Sequence, residues 1–417
     1  MQKVYRNLVS VAVIISVYLD LGNYLDLITL GRIKPKEIYL ALAVANIPIA
    51  IQHSRQFVAW ITSPITVWIA TFVLLNMISY LVDTDASGLI AKTATTRSAI
   101  ISTLWMGAFS LTVETNKLKM RAFATVLIAS IALLVVDLIA QGTIYPIEAS
   151  SATPGRAAGT FINSNKAAEA MLITLLLTLT WQVGRKKGSA ILVGLAFIGT
   201  LTTFSRSGFI AFIGTTACLL ASGALSRRSA LITICTVLAG SLMVIVNEDR
   251  IISLVTQAGS SDIAARITNL RQFKANDDGS LTERMAVARE AWNDFKKSPI
   301  VGVGPGKTYY GGAYNVASHN MHLMLLAEYG LTGYLTFAWL LVLLCWRLIF
   351  TRGRFNAIGL AMFFTILAFS VTTHNMLDHP YWIVTFLIIS GSRKAEEHHT
   401  FESFQAEKSG TRKLESA

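Results

Sequence analysis

Charge is scarce in this sequence. Only 14% of its 417 residues are Asp, Glu, Lys or Arg, against about a quarter in soluble domains. Acids are the scarcer sign, 24 against 36 Lys plus Arg. The three cysteines, Cys218, Cys235 and Cys345, sit inside apolar segments with no CxxC pair. They read as packing residues and leave the redox compartment open. No His-Glu-x-x-His run occurs, and no complete P-loop. The nearest candidate, Gly302-Val303-Gly304-Pro305-Gly306-Lys307-Thr308, has Val301 where a P-loop needs its first glycine, so it reads as a tight backbone turn.

What is present is apolar. Hydrophobic residues make up 53% of the chain and its mean hydropathy is +0.53. Runs such as 122–140 and 231–246 are long enough to cross or nearly cross ~30 Å of hydrocarbon. The fold class this predicts is an all-α polytopic membrane protein with about twelve transmembrane helices. The spans fall near 7–29, 37–52, 58–81, 98–114, 122–141, 165–183, 189–204, 207–225, 230–246, 320–346, 355–373 and 379–391. Asp20 and Asp26 interrupt the first. Lys3 and Arg6 precede it without a convincing cleavage site, so it reads as a retained helix and not a removed signal peptide.

The net charge of +12 does not indicate a nucleic-acid partner, because most Lys and Arg lie in short connectors, as membrane topology requires. The connectors Gly184-Arg185-Lys186-Lys187 and Ser226-Arg227-Arg228 are both basic and both read as cytoplasmic. Two crossings must lie between them, turning at Phe204-Ser205-Arg206-Ser207-Gly208, which puts Arg206 on the outer side. The same bias places both termini inside. Residues 1–246 form nine spans, 247–318 an outer loop, 319–391 three more spans and 392–417 a cytoplasmic tail.

The outer loop has its own pattern. Ser280-Leu281-Thr282-Glu283 fits a capping box, and Leu281, Met285, Ala288, Trp292 and Phe295 follow at helical spacing before Pro299. Arg284 and Arg289 flank that stripe. Ile263, Ile267 and Leu270, flanked by Arg266 and Arg271, repeat the layout. Two amphipathic helices bordered by arginine suit an interfacial position.

Several residues stand out as chemistry. His319, where the loop re-enters the membrane, either takes a proton from a hydroxyl near neutral pH or is a helix-end His held by backbone or headgroups. His322 lies one turn on, with His374 and His379 near the same surface, but no carboxylate accompanies the first pair as a metal site would require. Arginines near a membrane are functional candidates by default, and their forked donors suit phosphate. Arg206 is the clearest, because it sits on the side that the charge bias disfavours. Asp378 either orients a His or holds an acceptor sugar, or is an exposed interfacial Asp.

At these residues the chain resembles a known family. His319-Asn320, nine residues, Gly330, two residues, Gly333 fits the His-[Asn/Ser/Gln]-x9-Gly-x-x-[Gly/Thr/Tyr] pattern of bacterial O-antigen ligases. The wider O-antigen ligase/polymerase superfamily is resembled in Gly159-Thr160-Phe161-Ile162-Asn163-Ser164-Asn165, in Thr203-Phe204-Ser205-Arg206-Ser207-Gly208, in Arg284 with Trp292, and in Pro299 to Gly306.

The resemblance implies a GT-C-like integral membrane glycosyltransferase working at the periplasmic face of the bacterial inner membrane. Such ligases transfer O-antigen from undecaprenyl pyrophosphate to lipid A–core in lipopolysaccharide biosynthesis, inverting the anomeric centre with neither metal nor ATP. Carried onto this chain, His319 is the base and Arg206, Arg266, Arg284 and Arg289 hold the pyrophosphate. Asn163, Asn165, Asn320, His322 and Asp378 are acceptor or cavity candidates. Besides membrane lipids, the implied partners are the lipid-linked donor glycan and the lipid A–core acceptor. O-antigen polymerases and protein O-oligosaccharyltransferases share the superfamily. A transporter of lipid-linked sugars is the reading from a different class, and it would call for polar residues through several spans.

Overall fold

The computed structural model of the chain describes residues 2–81, 88–113, 117–139, 157–181, 189–246, 279–310, 319–351, 355 and 357–391. Every regular element among the described residues is helical, with no strand. In chain order these are α1 (Gln2–Tyr18), α2 (Leu21–Ile28), α3 (Pro35–Gln52), α4 (Ser54–Ile61), α5 (Pro64–Leu81), α6 (Leu89–Gly107), α7 (Phe109–Val113) and α8 (Lys117–Ile139). Then come α9 (Ser164–Trp181), α10 (Ser189–Thr202), α11 (Arg206–Ala221) and α12 (Arg227–Val246). The last group is α13 (Gly279–Lys297), α14 (Lys307–Tyr310), α15 (Met321–Cys345), α16 (Gly359–Thr372) and α17 (Pro380–Gly391).

Each apolar run of the sequence falls on a helix or on two helices joined at a break. Pro64–Leu81, Lys117–Leu138 and Met321–Phe350 are long and apolar enough to cross a membrane, and α1 with α2 makes a fourth if taken as one span bent by 64°. α10, α11, α16 and α17 are shorter apolar helices. Leu74, Ile210, Leu238 and Val342 point out of the bundle. Apolar side chains on an outer surface suit lipid contact. The chain is an integral membrane protein. The run 189–225 does divide, with α10 ending at Thr202 and α11 starting at Arg206.

Breaks leave backbone groups that hydrocarbon cannot satisfy, each costing several kcal/mol if unmatched. The α6–α7 break is repaired from another helix. Asn46 of α3, fully buried, donates to the Gly107 carbonyl at 2.8 Å and accepts from the Ser110 N–H at 2.8 Å. At the α1–α2 break Asp20 is buried in a left-handed conformation, its carboxylate accepting from the Asn23 amide at 2.7 Å.

Two helices fill the centre. Nearly every residue from Ala167 to Thr180 of α9 and from Tyr381 to Ile389 of α17 is buried. A helix apolar all round belongs in a core. The threonines of α9 return their hydroxyls to carbonyls one turn back, as Thr174 does to Ala170 at 2.6 Å. Glu169 joins the two helices. Its buried carboxylate accepts from the Tyr381 hydroxyl at 3.2 Å and the Trp382 indole N–H at 3.0 Å, and also from Thr373 at 2.9 Å.

The helix expected after residue 280 exists as α13 and packs on α15. Its buried face differs from the expected stripe: Val287 and Ala291 are buried, whereas Met285 is 52% and Trp292 46% exposed. The side chains of residues 281–283, and so the expected capping box, lie outside the described residues, as does the segment 263–271. Asn46→Leu fills the same space but strips two backbone groups of their partner. At about 1–3 kcal/mol per unpaired group, a clear fall in the Tm of the detergent-purified protein is expected. An unchanged Tm would mean that water takes over both bonds.

Candidate active site

The site is built around a break in α15. Gly330 interrupts that helix with φ 62° and ψ −155°, a region open in practice only to glycine. The interruption strands backbone groups, and the segment after Pro299 takes them up. Val303 N–H donates to Ala327 O at 2.8 Å and Gly304 N–H to Glu328 O at 3.0 Å. In return, Leu331 N–H donates to Pro299 O at 2.8 Å and Thr332 N–H to Ile300 O at 3.2 Å. The exchange requires two backbones in contact. A Cβ on Gly302 would lie 2.2 Å from the Glu328 carbonyl carbon, and one on Gly330 would lie 2.4 Å from that of Ile300. The turn then passes over α6, with Gly304 against Ile90 and Gly306 against Thr93. The glycine-rich turn is therefore a strap across a broken helix.

His319 immediately precedes α15, in the left-handed region (φ 49°). Asn320 is the helix cap, its side chain accepting from Leu323 N–H at 3.1 Å. Its amide oxygen thus serves the helix start. Burial, and then the positive charge of Arg284 from α13, push the His319 pKa down to about 4. The ring stands edge-on to His374, centroids 5.4 Å apart. His374 is pushed to about 3, by burial first and then by the charges of His319, Lys166 and Arg97. Both imidazoles are neutral at pH 7. At that pH His319 can accept a proton, with the charge of Arg284 within electrostatic reach.

Asp378, in the 3-10 turn Met376–Asp378, is held from a helix distant in sequence. Arg97 of α6 is buried and grips both carboxylate oxygens, Nε to Oδ1 at 2.5 Å and Nη2 to Oδ2 at 2.9 Å. Its Nη1 donates to the Tyr329 hydroxyl at 2.6 Å, which donates to Asn76 Oδ1 at 2.7 Å. Glu328 stands 3.5 Å from Nη1 and also accepts from Thr308 at 2.7 Å. One guanidinium thus ties α6 to the α15 break and to the turn before α17.

A second corner forms where α9 and α11 begin. Ser205 caps α11 by accepting from Gly208 N–H at 3.1 Å, and its hydroxyl donates to Asn165 Oδ1 at 2.7 Å. A Cβ on Gly208 would lie 2.6 Å from the Ala168 Cβ, so α11 can approach α9 closely only with glycine there. Arg206 follows at the first position of α11, exposed. Asn163 Oδ1 accepts from Asn165 N–H at 2.8 Å. Behind them the buried Asp137 accepts from the N–H groups of Ala158 and Gly159 at 2.7 and 3.0 Å. Asp137 and Glu169 were not singled out in the sequence, since single acids within long apolar runs carry no pattern.

The remaining candidates divide. Arg266 lies outside the described residues. Arg289 is exposed and shares a shallow groove with Met285 and Trp292 on the outward side of α13. His322 turns into the bundle, 3.2 Å from the Ser370 hydroxyl and edge-on to Tyr334 and Phe337. Among the described residues no three His, Cys, Asp or Glu side chains are grouped to hold a metal ion.

Gly330→Ala is expected to collapse the site. It combines about 1–3 kcal/mol of backbone strain with a clash against Ile300, so the Tm falls steeply. Gly194→Ala in α10, where a Cβ meets only Thr236 at 3.8 Å, should leave the Tm unchanged or raise it. Equal effects of the two substitutions would refute the strap.

Residues 190–338 match the family model described as O-antigen ligase. No curated protein matches the chain. The matched region contains Arg206, Arg284, the glycine strap, His319 and the Gly330 break, while Arg97, Asn165, Glu169, His374 and Asp378 lie outside it. Residues 190–338 of this membrane protein therefore form a region similar to the O-antigen ligase domain, a family whose members transfer lipid-linked glycans.

Proposed function

We propose that the protein is an O-antigen ligase that transfers O-antigen polysaccharide from undecaprenyl pyrophosphate to lipid A–core, without metal or ATP, at the periplasmic face of the inner membrane. The observation that carries this reading is a neutral His319 just before α15 within electrostatic reach of Arg284, both inside the matched region. We read about twelve crossings, counting short and broken helices, with the termini in the cytoplasm and the loop 247–318 outside, as the bias of Lys and Arg favours. Supporting that orientation, Arg6 and His53 meet at 3.0 Å and Arg55 lies beside Arg347 at the far end of α15 from His319.

The donor is already activated, because pyrophosphate is a good leaving group and needs cations more than an acid. Arg284, with Arg206 and Arg266 and in a lesser role Arg289, neutralises the pyrophosphate as charge develops on it. The acceptor hydroxyl attacks the anomeric carbon from the face opposite the pyrophosphate, forming the new C–O bond with inversion. The old C–O bond breaks, its electron pair leaves with undecaprenyl pyrophosphate, and the hydroxyl proton passes to His319. Asp378, fixed by Arg97, offers a carboxylate to the acceptor sugar. Substrate also tunes the base: a pyrophosphate dianion against Arg284 offsets the cation that depresses His319, so basicity rises once donor is bound.

The decisive experiment offers lipid A–core, a peptide and a second lipid-linked repeat unit side by side to the purified protein, with a chelator and no ATP. Transfer to lipid A–core, largely abolished in His319→Ala, is the expected outcome. Preference for the second repeat would make the enzyme a polymerase, and wild-type transfer by His319→Ala would remove the base.

The pH dependence follows from the depressed imidazole. The acid limb of kcat/KM, which reports the free enzyme, should lie near pH 4 and not near 6.5. Arg284→Gln should move that limb upward, though only part of the way, because burial is the larger cause.

A further inference from the structure

A cavity of about 460 Å³ opens at the end of the bundle remote from His319, within the size range of small-molecule sites. Two backbone irregularities create it. One is the gap between α4 and α5, where Thr62 and Ser63 separate the helices. The other is a π-helical turn, Trp346–Phe350, that continues α15 and carries Arg347; π turns are rare and frequent at functional sites. The end of α17 closes the floor. There Ser390 hydrogen-bonds Ser63, which also meets Thr66 at 2.9 Å. Trp60 donates to Leu387 O at 3.5 Å and Arg347 Nε to Ile389 O at 3.3 Å.

The chemistry of the wall is two-sided. Arg55 and Arg347 line it together with the hydroxyls of Ser63 and Ser390, and Trp60 and Trp346 supply aromatic surface. Arg6 and His53 meet nearby, just before α4, which adds to the positive potential of this end. The depth is also indicated. Trp346 is 62% and Phe350 66% exposed on the outside of the bundle, and aromatic residues at the end of a spanning helix sit at headgroup level. A guanidinium pair with hydroxyls beside an aromatic wall fits a phosphate carrying a hydrocarbon chain, not a sugar or a free apolar ligand.

We propose that this cavity binds the headgroup phosphate of an anionic membrane phospholipid. Arg55, Arg347 and the Ser63–Ser390 hydroxyls face the phosphate, and Trp60 and Trp346 lie along the start of the lipid chains. The site is separate from the proposed transfer chemistry and clamps α4, α15 and α17 at one end of the bundle.

Native mass spectrometry of the full-length, detergent-purified protein tests this with three probes: phosphatidylglycerol, diacylglycerol and inorganic phosphate. Phosphatidylglycerol should be retained and diacylglycerol should not. Arg55→Ala, an exposed position on α4, should weaken retention several-fold with an unchanged Tm. Arg55→Ala combined with Arg347→Ala should weaken it at least ten-fold. The charge-matched control Arg32→Ala with Lys36→Ala, exposed before and at the start of α3, should retain lipid as the wild type does. The proposal is overturned if both arginine variants hold phosphatidylglycerol normally. It is equally overturned if diacylglycerol binds as well, if the control loses as much, or if millimolar inorganic phosphate displaces the lipid and marks a soluble-anion site.

Discussion

Hydrocarbon offers no hydrogen bonds, so a helix interrupted inside a membrane bundle must find partners for its backbone within the protein. The rest of this structure depends on how that demand is met at Gly330. The interruption turns α15 just after Glu328 and Tyr329, and the strap from Pro299 to Gly304 satisfies it by exchanging four hydrogen bonds. Two consequences follow for the site. The strap holds residues 299–304 against α15, and it brings Thr308 and Gly306 onto Glu328. The same break presents Glu328 and Tyr329 to Arg97, which in turn fixes Asp378. A backbone requirement thereby becomes a constraint on side chains drawn from α6, α15 and the turn before α17.

Electrostatics at the two ends of the bundle differ in kind. At the His319 end, Arg97 is buried and matched by Asp378 and Glu328, while the exposed Arg284 acts by its charge on a neutral imidazole. Buried pairs contribute little net stability, because desolvation offsets the attraction, so their value here lies in geometry. At the other end Arg55 is exposed and the cations line an open cavity. The first arrangement suits a reaction that develops charge, the second a surface that meets lipid phosphate.

Much of this was legible in the chain and some was not, for identifiable reasons. Apolar runs located the helices, and the basic residues on both sides of 189–225 required the division at Ser205 that the structure has. His319, the strap and Gly330 carried a recognisable spacing. The breaks at Ala108 and Gly330 were not foreseeable, since each is stabilised by a partner distant in sequence: Asn46 for one and Pro299 to Gly304 for the other. Arg97 and Asp378, 281 positions apart, form a pair that no local pattern announces. On α13 the period was right and the face wrong. Small residues, Val287 and Ala291, allow close packing on α15, while the larger Met285 and Trp292 stay outside.

The joint between α9 and α17 bears on how the molecule is assembled during synthesis. α17 occupies the middle of the bundle yet follows every other described helix in the chain. Until it inserts, Glu169 lacks the Tyr381 and Trp382 donors that satisfy its carboxylate, and the centre of the bundle has no filling helix. Packing of the core thus depends on the last described helix, and one buried acid ties that helix to α9.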